Sequence, residues 1–208
     1  MSLDEYIESH ISPEHPYLQR LYRDTQTHLL YPRMASGHQQ GVLLTMICRI
    51  FKPRKVLEIG TYSGYATLAM AAGMEEGTSI KTLEINDEQE KFTKPWLENS
   101  PFPPGIEMII CDAKDYLKKD TDTYNLIFLD GNKREYSDYY KLLMPRLAAG
   151  GLLLADNTLW SGHVLEKSDE ASAQTHGIQD FNDLVACDEK IEKLILPIRD
   201  GLTLIYKK

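Results

Sequence analysis

The stretch VLEIGTYSGY at residues 56–65 decides the fold, because a short apolar run passes through a glycine-bearing turn into a helical pattern. Gly60 and Gly64 give the turn its conformational freedom and allow the backbone to approach a ligand closely. A strand, a turn and a helix in this order are typical of a βαβ unit. The turn then lies at the carboxyl edge of a parallel sheet.

Strand-like and helix-like runs alternate beyond this stretch. The strands KVLEI, SIKTLEI, IEMII, YNLIFLD and GLLLADN are separated by helical runs such as YATLAMAAGM, DEQEKFTKPWLENS, AKDYLKK and EYSDYYKLLMPRL. Their apolar character suits strands covered on both faces. Only residues 199–201 separate IEKLILPI from LTLIYKK, a spacing that demands an antiparallel hairpin. We predict an α/β fold: a Rossmann-like, doubly wound, mostly parallel sheet of seven strands ending in that hairpin.

Helices precede this sheet. Residues 14–30 and 39–51 carry apolar side chains near helical spacing, and no strand is apparent before residue 55. The polar segment 161–177, rich in small residues, predicts a loop that could cover the site as a lid, followed by a helix at 178–186. With no repeat and no linker, we expect a single domain over residues 1–208, with helices to residue 51 and a Rossmann-like core over 55–208.

Composition narrows the class of protein. A net charge of −8 disfavours binding to nucleic acid, whose partners usually carry a basic patch. Three cysteines far apart in sequence indicate neither a disulfide framework nor a zinc site. The N-terminus is acidic where a secretory signal would be basic, and no stretch reaches the ~18 apolar residues of a membrane span. We predict a cytoplasmic protein with reduced thiols and no membrane partner.

The glycine turn favours a cationic ligand over a phosphate. Its glycines are spaced G-x-x-x-G, whereas a dinucleotide site has G-x-G-x-x-G, and Glu58 puts a carboxylate at the strand end. S-adenosylmethionine carries an ammonium and a sulfonium and no phosphate, so it suits this turn. A tight connection that binds nothing is the alternative, and it would be the better explanation for a lone glycine pair.

Two further acids follow predicted strands. Glu84 ends the second strand, where a carboxylate can accept both hydroxyls of a ribose. Asp112 follows the third strand and could accept a hydrogen bond from an adenine amino group. Either acid could instead cap a helix. Together with the turn, Glu84 favours a nucleoside ligand, while Asp112 alone is a weak signal.

The most informative group is Asp130 with Lys133, in FLDGNKREY, and Asp156 with Asn157, in LLLADNTLW. Both acids terminate adjacent predicted strands, which brings two carboxylates and an amide carbonyl to one place. Oxygen ligands suit a hard cation such as Mg²⁺, and two substrate oxygens could complete its coordination. Each acid alone is better explained as a cap or turn residue, but the pair favours a metal.

With these residues together, the sequence resembles the caffeoyl-coenzyme A and catechol O-methyltransferase family, its bacterial members most closely, from about Arg33 to the C-terminus. The shared motifs are M-x-x-x-x-x-x-G at 34–41, EIGTYSGY, FLDGNK-x-x-Y, DNTLW and the final DGLTL. The resemblance implies a class I methyltransferase fold, S-adenosylmethionine as cofactor, Mg²⁺ (or Mn²⁺ or Ca²⁺) and a homodimer.

By motif position, the resemblance also assigns roles to residues. It implies that Asp130, Asp156 and Asn157 bind the metal and that Lys133 is the base. The cofactor pocket that it implies is lined by Ser36, Glu58, Gly60, Thr61, Ser63, Glu84, Asp112, Ala113 and Asp130.

The chain departs from the family at three places. Gly131-Asn132 stand where Ala-Asp is frequent, and Ala66 stands where Ser is frequent. Plant members contact substrate with an Asn after Leu-Trp, and this chain has Ser161 there. The acceptor preference of the plant enzymes is therefore not implied.

These assignments predict a mechanism in which the attacking oxygen lies opposite the leaving sulfur. A chelated cation would lower the pKa of the acceptor hydroxyl, and Lys133 would take its proton, since burial and a nearby dication disfavour a charged lysine. We expect an S-adenosylmethionine- and metal-dependent O-methyltransferase acting on a small catechol-like aromatic acceptor, with Lys133 and Asp130 as catalytic residues.

Two alternatives stay open. A nicotinamide-dependent oxidoreductase would also use Glu84 after a glycine turn, but it leaves the Asp130, Asp156 and Asn157 group unexplained. A non-catalytic cofactor-binding scaffold could have the same fold, because fold does not determine activity. The presence of Lys133 together with both carboxylates argues against a protein that has lost its catalytic activity.

Overall fold

The computed structural model describes residues 1–167 and 171–208 as eight α-helices, seven strands and four short 3₁₀ helices. The helices are α1 Leu3–His10, α2 Pro16–His28, α3 Gly37–Phe51, α4 Tyr65–Ala71, α5 Glu90–Glu98, α6 Ala113–Lys119, α7 Tyr136–Leu143 and α8 Ala173–Cys187. The strands are β1 Lys55–Ile59, β2 Ser79–Glu84, β3 Gly105–Ile110, β4 Tyr124–Leu129, β5 Leu147–Asp156, β6 Ile191–Leu196 and β7 Leu202–Lys207. The 3₁₀ helices are Pro32–Met34, Asp87–Gln89, Lys133–Glu135 and Trp160–Leu165.

The strands form one seven-stranded sheet in the order β3-β2-β1-β4-β5-β7-β6. The pairs β2/β3, β1/β4 and β4/β5 are parallel, and β7 runs antiparallel to both β5 and β6. The predicted fold class, a mostly parallel sheet ending in an antiparallel hairpin, is confirmed.

The chain forms two compact units. The first comprises Met1–Arg54 and Thr61–Ile110. Within it, every residue of α4 is buried, and the Thr45 hydroxyl of α3 donates to the Ala69 carbonyl oxygen of α4 over 2.7 Å. Helices precede the first strand, as predicted, although there are three of them and the sequence indicated two. The division of residues 1–208 into N-terminal helices and a core within a single domain stays a prediction.

The second unit comprises Lys55–Gly60 and Cys111–Lys208. Its centre is β4, whose residues from Leu126 to Leu129 are fully buried. These residues are apolar because the strand lies between β1 and β5 and is covered on both faces. Its continuous apolar run is therefore the expected pattern for a central parallel strand.

Helix α1 was not predicted from the apolar spacing, which placed the first helix from residue 14. The reason is visible at its start, where Ser2 and Glu5 form a capping box: the Ser2 hydroxyl accepts from the Glu5 N–H and the Glu5 carboxylate accepts from the Ser2 N–H. This pattern satisfies N–H groups that the first helical turn leaves free. The sequence Ser-x-x-Glu carried the signal.

The predicted loop at 161–177 is wrong in part. A 3₁₀ helix occupies Trp160–Leu165, and α8 begins at Ala173 rather than at residue 178. The Ser172 hydroxyl caps α8 by accepting from the Thr175 N–H, which lets a polar, small-residue sequence enter a helix. Residues 168–170 of this segment lie outside the described residues. Among the helices that are described, none has the length and apolar character needed to cross a membrane.

Gly60 is required at the end of β1. Its φ of +96° lies in the region that favours glycine, and a Cβ there would lie 2.2 Å from the carbonyl oxygen of Asp130. We expect Gly60→Ala to lower the free energy of unfolding by at least about 2 kcal/mol, measured by urea denaturation.

Gly105→Ala is the matched control. A Cβ at Gly105 meets nothing within 4 Å. This variant is expected to stay within about 1 kcal/mol of the parent. Equal stability of the two variants would show that the contact between Gly60 and Asp130 does not constrain the chain.

Candidate functional site

The carboxyl ends of β4 and β5 place two predicted ligands side by side. In the parallel register, Leu129 pairs with Ala155, so Asp130 and Asp156 occupy the next level of the two strands. The Asp130 N–H donates to the Ile59 carbonyl oxygen over 2.9 Å, which ties this position to the end of β1. Asp156 is buried. The sheet register thus brings together the two acids on which the predicted metal site depends.

Lys133 lies against the first of these acids. Its Nζ is 2.5 Å from Asp130 Oδ1 and 2.8 Å from the Tyr136 hydroxyl oxygen. The side chains of Lys133 and Asp130 are only 11% and 23% exposed. Since partly buried ion pairs are screened less than surface pairs, the interaction persists at ordinary ionic strength. The structure brings the predicted base and the first predicted ligand into direct contact.

Tyr136 is a site residue to which the sequence analysis gave no role. Its hydroxyl accepts from Lys133 and lies within donating distance of two carbonyl oxygens, those of Asp156 at 3.0 Å and Leu129 at 3.2 Å. Burial, followed by the charges of Asp130 and Asp156, raises the pKa of Tyr136 well above its usual value. The hydroxyl therefore keeps its proton and connects Lys133 to both strand ends.

Helix α8 supports this arrangement from the side. The ring of Phe181 packs edge-on against Tyr136, with 5.4 Å between ring centroids. A Cβ on Gly177 would lie 2.3 Å from the Lys133 carbonyl oxygen, so a glycine allows α8 to contact the 3₁₀ helix Lys133–Glu135. The position of Lys133 therefore depends on the packing of α8.

Asn157, the third predicted ligand, has an unusual backbone. Its φ of +59° is left-handed, a conformation that Asn adopts more readily than most residues. Its N–H donates to Asp156 Oδ1 over 2.8 Å. Strained backbone of this kind is often found at functional sites. A turn, closed by the Trp160 N–H donating to the Asn157 carbonyl oxygen over 3.1 Å, begins at the residue whose amide oxygen is predicted to bind a cation.

Glu84, the predicted ribose acceptor, has a fixed carboxylate. Its Oε2 accepts from the Tyr62 N–H over 2.8 Å, and its Oε1 accepts from the Asn86 N–H over 2.9 Å. Each carboxylate oxygen can accept more than one hydrogen bond, so both retain capacity for a ligand. The two backbone donors orient the carboxylate in advance.

The loop that follows β1 is held at several points within the first unit. The Thr61 and Thr82 hydroxyls lie 2.6 Å apart, and the Thr93 hydroxyl donates to the Tyr62 carbonyl oxygen over 2.5 Å. Tyr62 has a φ of +46°, which a bulky residue keeps only when its surroundings impose it. Ser63 is 1% exposed, and its hydroxyl has no hydrogen-bond partner among the described residues. A buried hydroxyl without a partner indicates a position where a ligand can supply one.

The remaining predicted cofactor residues lie in both units. Ser36 is buried at the start of α3 in the first unit. In the second unit, Glu58 is fully buried on β1, and Ala113 is the first residue of α6. Asp112 Oδ1 accepts from the N–H groups of Lys114 and Asp115, so this acid caps α6, the alternative that its sequence position left open.

Across the described residues, no group of three or more His, Cys, Asp or Glu side chains is placed to hold a metal ion. The predicted ligand set contains two acids and one amide, and so contributes only two side chains of these types. Metal dependence therefore stays a prediction.

Comparison with known proteins decides the family. A sequence model of the family described as O-methyltransferase matches residues 8–208. The chain belongs to this O-methyltransferase family. The resemblance on which the site residues were assigned is therefore confirmed at the level of the family.

Curated members of the family are similar over nearly the whole chain. Caffeoyl-CoA O-methyltransferase 5 of Nicotiana tabacum is 30% identical, with 98% of this chain and 90% of the relative covered. Caffeoyl-CoA O-methyltransferase 1 of Arabidopsis thaliana is 29% identical, with coverage of 97% and 83%.

Solved structures have the same fold. An O-methyltransferase from Bacillus cereus in complex with SAH is 23% identical, with a TM-score of 0.90 and coverage of 99% of this chain and 97% of that one. An SAH-bound methyltransferase from Podospora anserina is 26% identical, with a TM-score of 0.90 and coverage of 99% and 94%. Membership of the O-methyltransferase family gives no support to the nicotinamide-dependent alternative.

The bond between Tyr136 and Lys133 can be measured through stability. Tyr136→Phe leaves buried carbonyl oxygens without their donor, which should cost about 1–3 kcal/mol in the free energy of unfolding. A double-mutant cycle with Lys133→Met should give a coupling energy of roughly 0.5 kcal/mol or more, by urea denaturation.

Tyr140→Phe is the control for this cycle. It removes a hydroxyl from the same helix, one whose hydrogen-bond acceptor is Asp188, over 2.7 Å, and not a group of the Lys133 site. Its effect should add to that of Lys133→Met. If the effects of Tyr136→Phe and Lys133→Met were also additive, that result would contradict a hydrogen bond between the two side chains.

Proposed function

We propose that this protein is an S-adenosylmethionine- and divalent-cation-dependent O-methyltransferase that methylates one hydroxyl of a small catechol-like aromatic acceptor. The observation that carries the proposal is the β4/β5 register, which sets Asp130 beside Asp156 with Lys133 paired to Asp130. Two similar solved structures hold SAH, and the curated relatives are caffeoyl-CoA O-methyltransferases. These findings support the cofactor and the reaction class.

The residues present suit this cofactor. S-adenosylmethionine supplies a methyl group on a positively charged sulfur. The buried Ser63 hydroxyl can donate to or accept from a ligand, and the Glu84 carboxylate is already oriented by two backbone N–H groups. Glu58 adds a fully buried carboxyl group on β1. We assign the cofactor to Ser36, Glu58, Gly60, Thr61, Ser63, Glu84, Asp112, Ala113 and Asp130.

The donor set also suits a hard cation. Asp130, Asp156 and Asn157 offer carboxylate and amide oxygens, which Mg²⁺, Mn²⁺ and Ca²⁺ all accept. A bound cation would supply Lewis-acid stabilisation of the acceptor oxygen and a template for two vicinal oxygens. The chain's own contribution is to fix these three donors at the ends of paired strands.

We assign Lys133 as the base that takes the proton of the acceptor hydroxyl, a role that requires its neutral amine rather than the ammonium of the ion pair with Asp130. Asp130 and Tyr136 hold its Nζ from two sides, at 2.5 and 2.8 Å. Because the Tyr136 hydroxyl keeps its own proton, it orients Lys133 without competing for the proton that the acceptor releases. Removal of the proton makes the attacking oxygen more nucleophilic, and alignment of that oxygen with the methyl group lowers the activation barrier further.

The proposal extends to the location, oligomeric state and partners of the enzyme. We infer a cytoplasmic homodimer that acts on a small molecule and binds neither nucleic acid nor membrane. The net charge of −8 supports the exclusion of nucleic acid. Large apolar side chains exposed in the N-terminal segment, among them Leu3, Leu30, Tyr31 and Met34, support an association surface there.

The test is SAH release from a panel of catechols and matched monophenols, with Mg²⁺ and after treatment with EDTA. We expect turnover of vicinal diols only, lost on chelation. Asp156→Asn should lower kcat/KM about a hundredfold or more, because it removes one anionic ligand while conserving shape.

Asp183→Asn is the matched control, since Asp183 is an exposed acid on α8. It should retain the parent activity. Turnover that is insensitive to EDTA and to Asp156→Asn would refute the metal dependence and indicate a methyltransferase that needs no metal. Calorimetric binding of S-adenosylmethionine without turnover of any acceptor would instead favour a cofactor-binding scaffold.

A further inference from the structure

The loop that leaves the predicted metal site has a strained backbone. Three consecutive residues after Leu159 have positive φ: Trp160 at +46°, Ser161 at +51° and Gly162 at +86°. Glycine accepts this conformation, whereas Trp and Ser adopt it only where neighbouring structure imposes it. Something outside the loop must therefore hold residues 160 and 161.

The turn between β6 and β7 supplies that support. The Leu159 and Trp160 N–H groups both donate to the Asp200 carbonyl oxygen, over 2.7 and 3.1 Å, and the Thr158 N–H donates to the Gly201 carbonyl oxygen over 3.1 Å. Gly201 has a φ of +89°, and a Cβ there would lie 2.7 Å from the Leu159 nitrogen. The Asp-Gly pair of the final sequence motif thus contacts the loop through its main chain.

One side chain of the turn extends this support to the strained residues. The Ser161 hydroxyl donates to Asp200 Oδ1 over 2.9 Å. This bond fixes Ser161 directly and Trp160 through the chain. The hydroxyl of Ser161 is thereby directed to Asp200.

The other end of the loop is held independently. The Thr158 hydroxyl accepts from the Thr203 hydroxyl over 2.7 Å, and the Thr158 carbonyl oxygen accepts from the Asn182 amide over 2.8 Å. Loss of the Asp200 side chain therefore removes the support of Ser161, which the main-chain bonds to Leu159 and Trp160 do not replace, and leaves Asp156 and Asn157 in place. A change confined to that part of the loop should alter which acceptors fit and should spare the metal ligands.

We propose that Asp200 is a positioning residue that, by holding Ser161, fixes residues 160–162 of the loop and thereby sets acceptor specificity. This inference rests on the proposed function, because the loop borders the acceptor only if Asp156 and Asn157 bind it through a cation. The bond between Ser161 and Asp200 connects residues distant in sequence, so its two ends can be removed separately.

The first arm of the test measures the loop itself. The chain has two tryptophans, so a Trp96→Phe background leaves Trp160 as the fluorophore. Acrylamide quenching of Trp160 should rise in Asp200→Ala and Ser161→Ala. It should stay near the parent value in Asp200→Asn, which keeps an oxygen that can accept from Ser161.

The second arm measures specificity. We compare kcat/KM for a compact diol, catechol, and a bulky one, caffeoyl-CoA, and the KM for S-adenosylmethionine. Asp200→Ala and Ser161→Ala should each change the ratio of the two kcat/KM values about fivefold, with the cofactor KM unchanged. The double variant should change it no further, and Asp200→Asn should restore the parent ratio.

The outcomes separate the inference from the proposed function. An unchanged acceptor ratio in Asp200→Ala overturns the inference, whatever the quenching shows, and unchanged quenching overturns the positioning role. A change in the KM for S-adenosylmethionine as large as the change for the acceptors, together with a lower melting temperature, would indicate a general structural role. That result would also overturn the inference. A parent enzyme that turns over no diol would refute the proposed function, while the quenching arm would still decide whether Asp200 holds the loop.

Discussion

The parallel pairing of β4 with β5 is the constraint on which the site depends. Both strands are largely buried, and a one-residue slip would exchange the side chains that pack on the two faces of the sheet and disrupt the packing on both. The register is therefore fixed by core packing. Because it is fixed, Asp130, which follows β4, and Asp156, the last residue of β5, occupy one level at one edge of the sheet. Fold stability and site geometry come from the same set of contacts.

Two sets of polar contacts hold what the register brings together. Tyr136 connects Lys133 to the ends of both strands, and the Asp200-Gly201 turn holds the loop that follows Asp156 and Asn157. Each contact joins elements that the sheet alone would leave free to move. The predicted ligands and base thus lie on or directly after regular structure, and their neighbours restrict them further.

Much of this arrangement could be predicted from the sequence, and for a clear reason. Strand ends and glycine turns are local features, so the positions of Glu58, Gly60, Asp130 and Asp156 follow from the alternation of apolar runs. Tyr136 could not be assigned in this way. Its role arises from a 3₁₀ helix and from two backbone carbonyl oxygens, and no local pattern shows which carbonyls a hydroxyl will meet. The start of α8 was misjudged because Ser172, a single capping residue, outweighs the polar composition around it.

The most direct measurement of the central claim is titration of the protein with Mn²⁺, followed by electron paramagnetic resonance in the presence of SAH. The account predicts one bound Mn²⁺ per chain and a loss of affinity of about tenfold or more in both Asp130→Asn and Asp156→Asn. Asp183→Asn should bind as the parent does. Retention of full affinity in either of the first two variants would contradict the claim that the ends of β4 and β5 form one cation site.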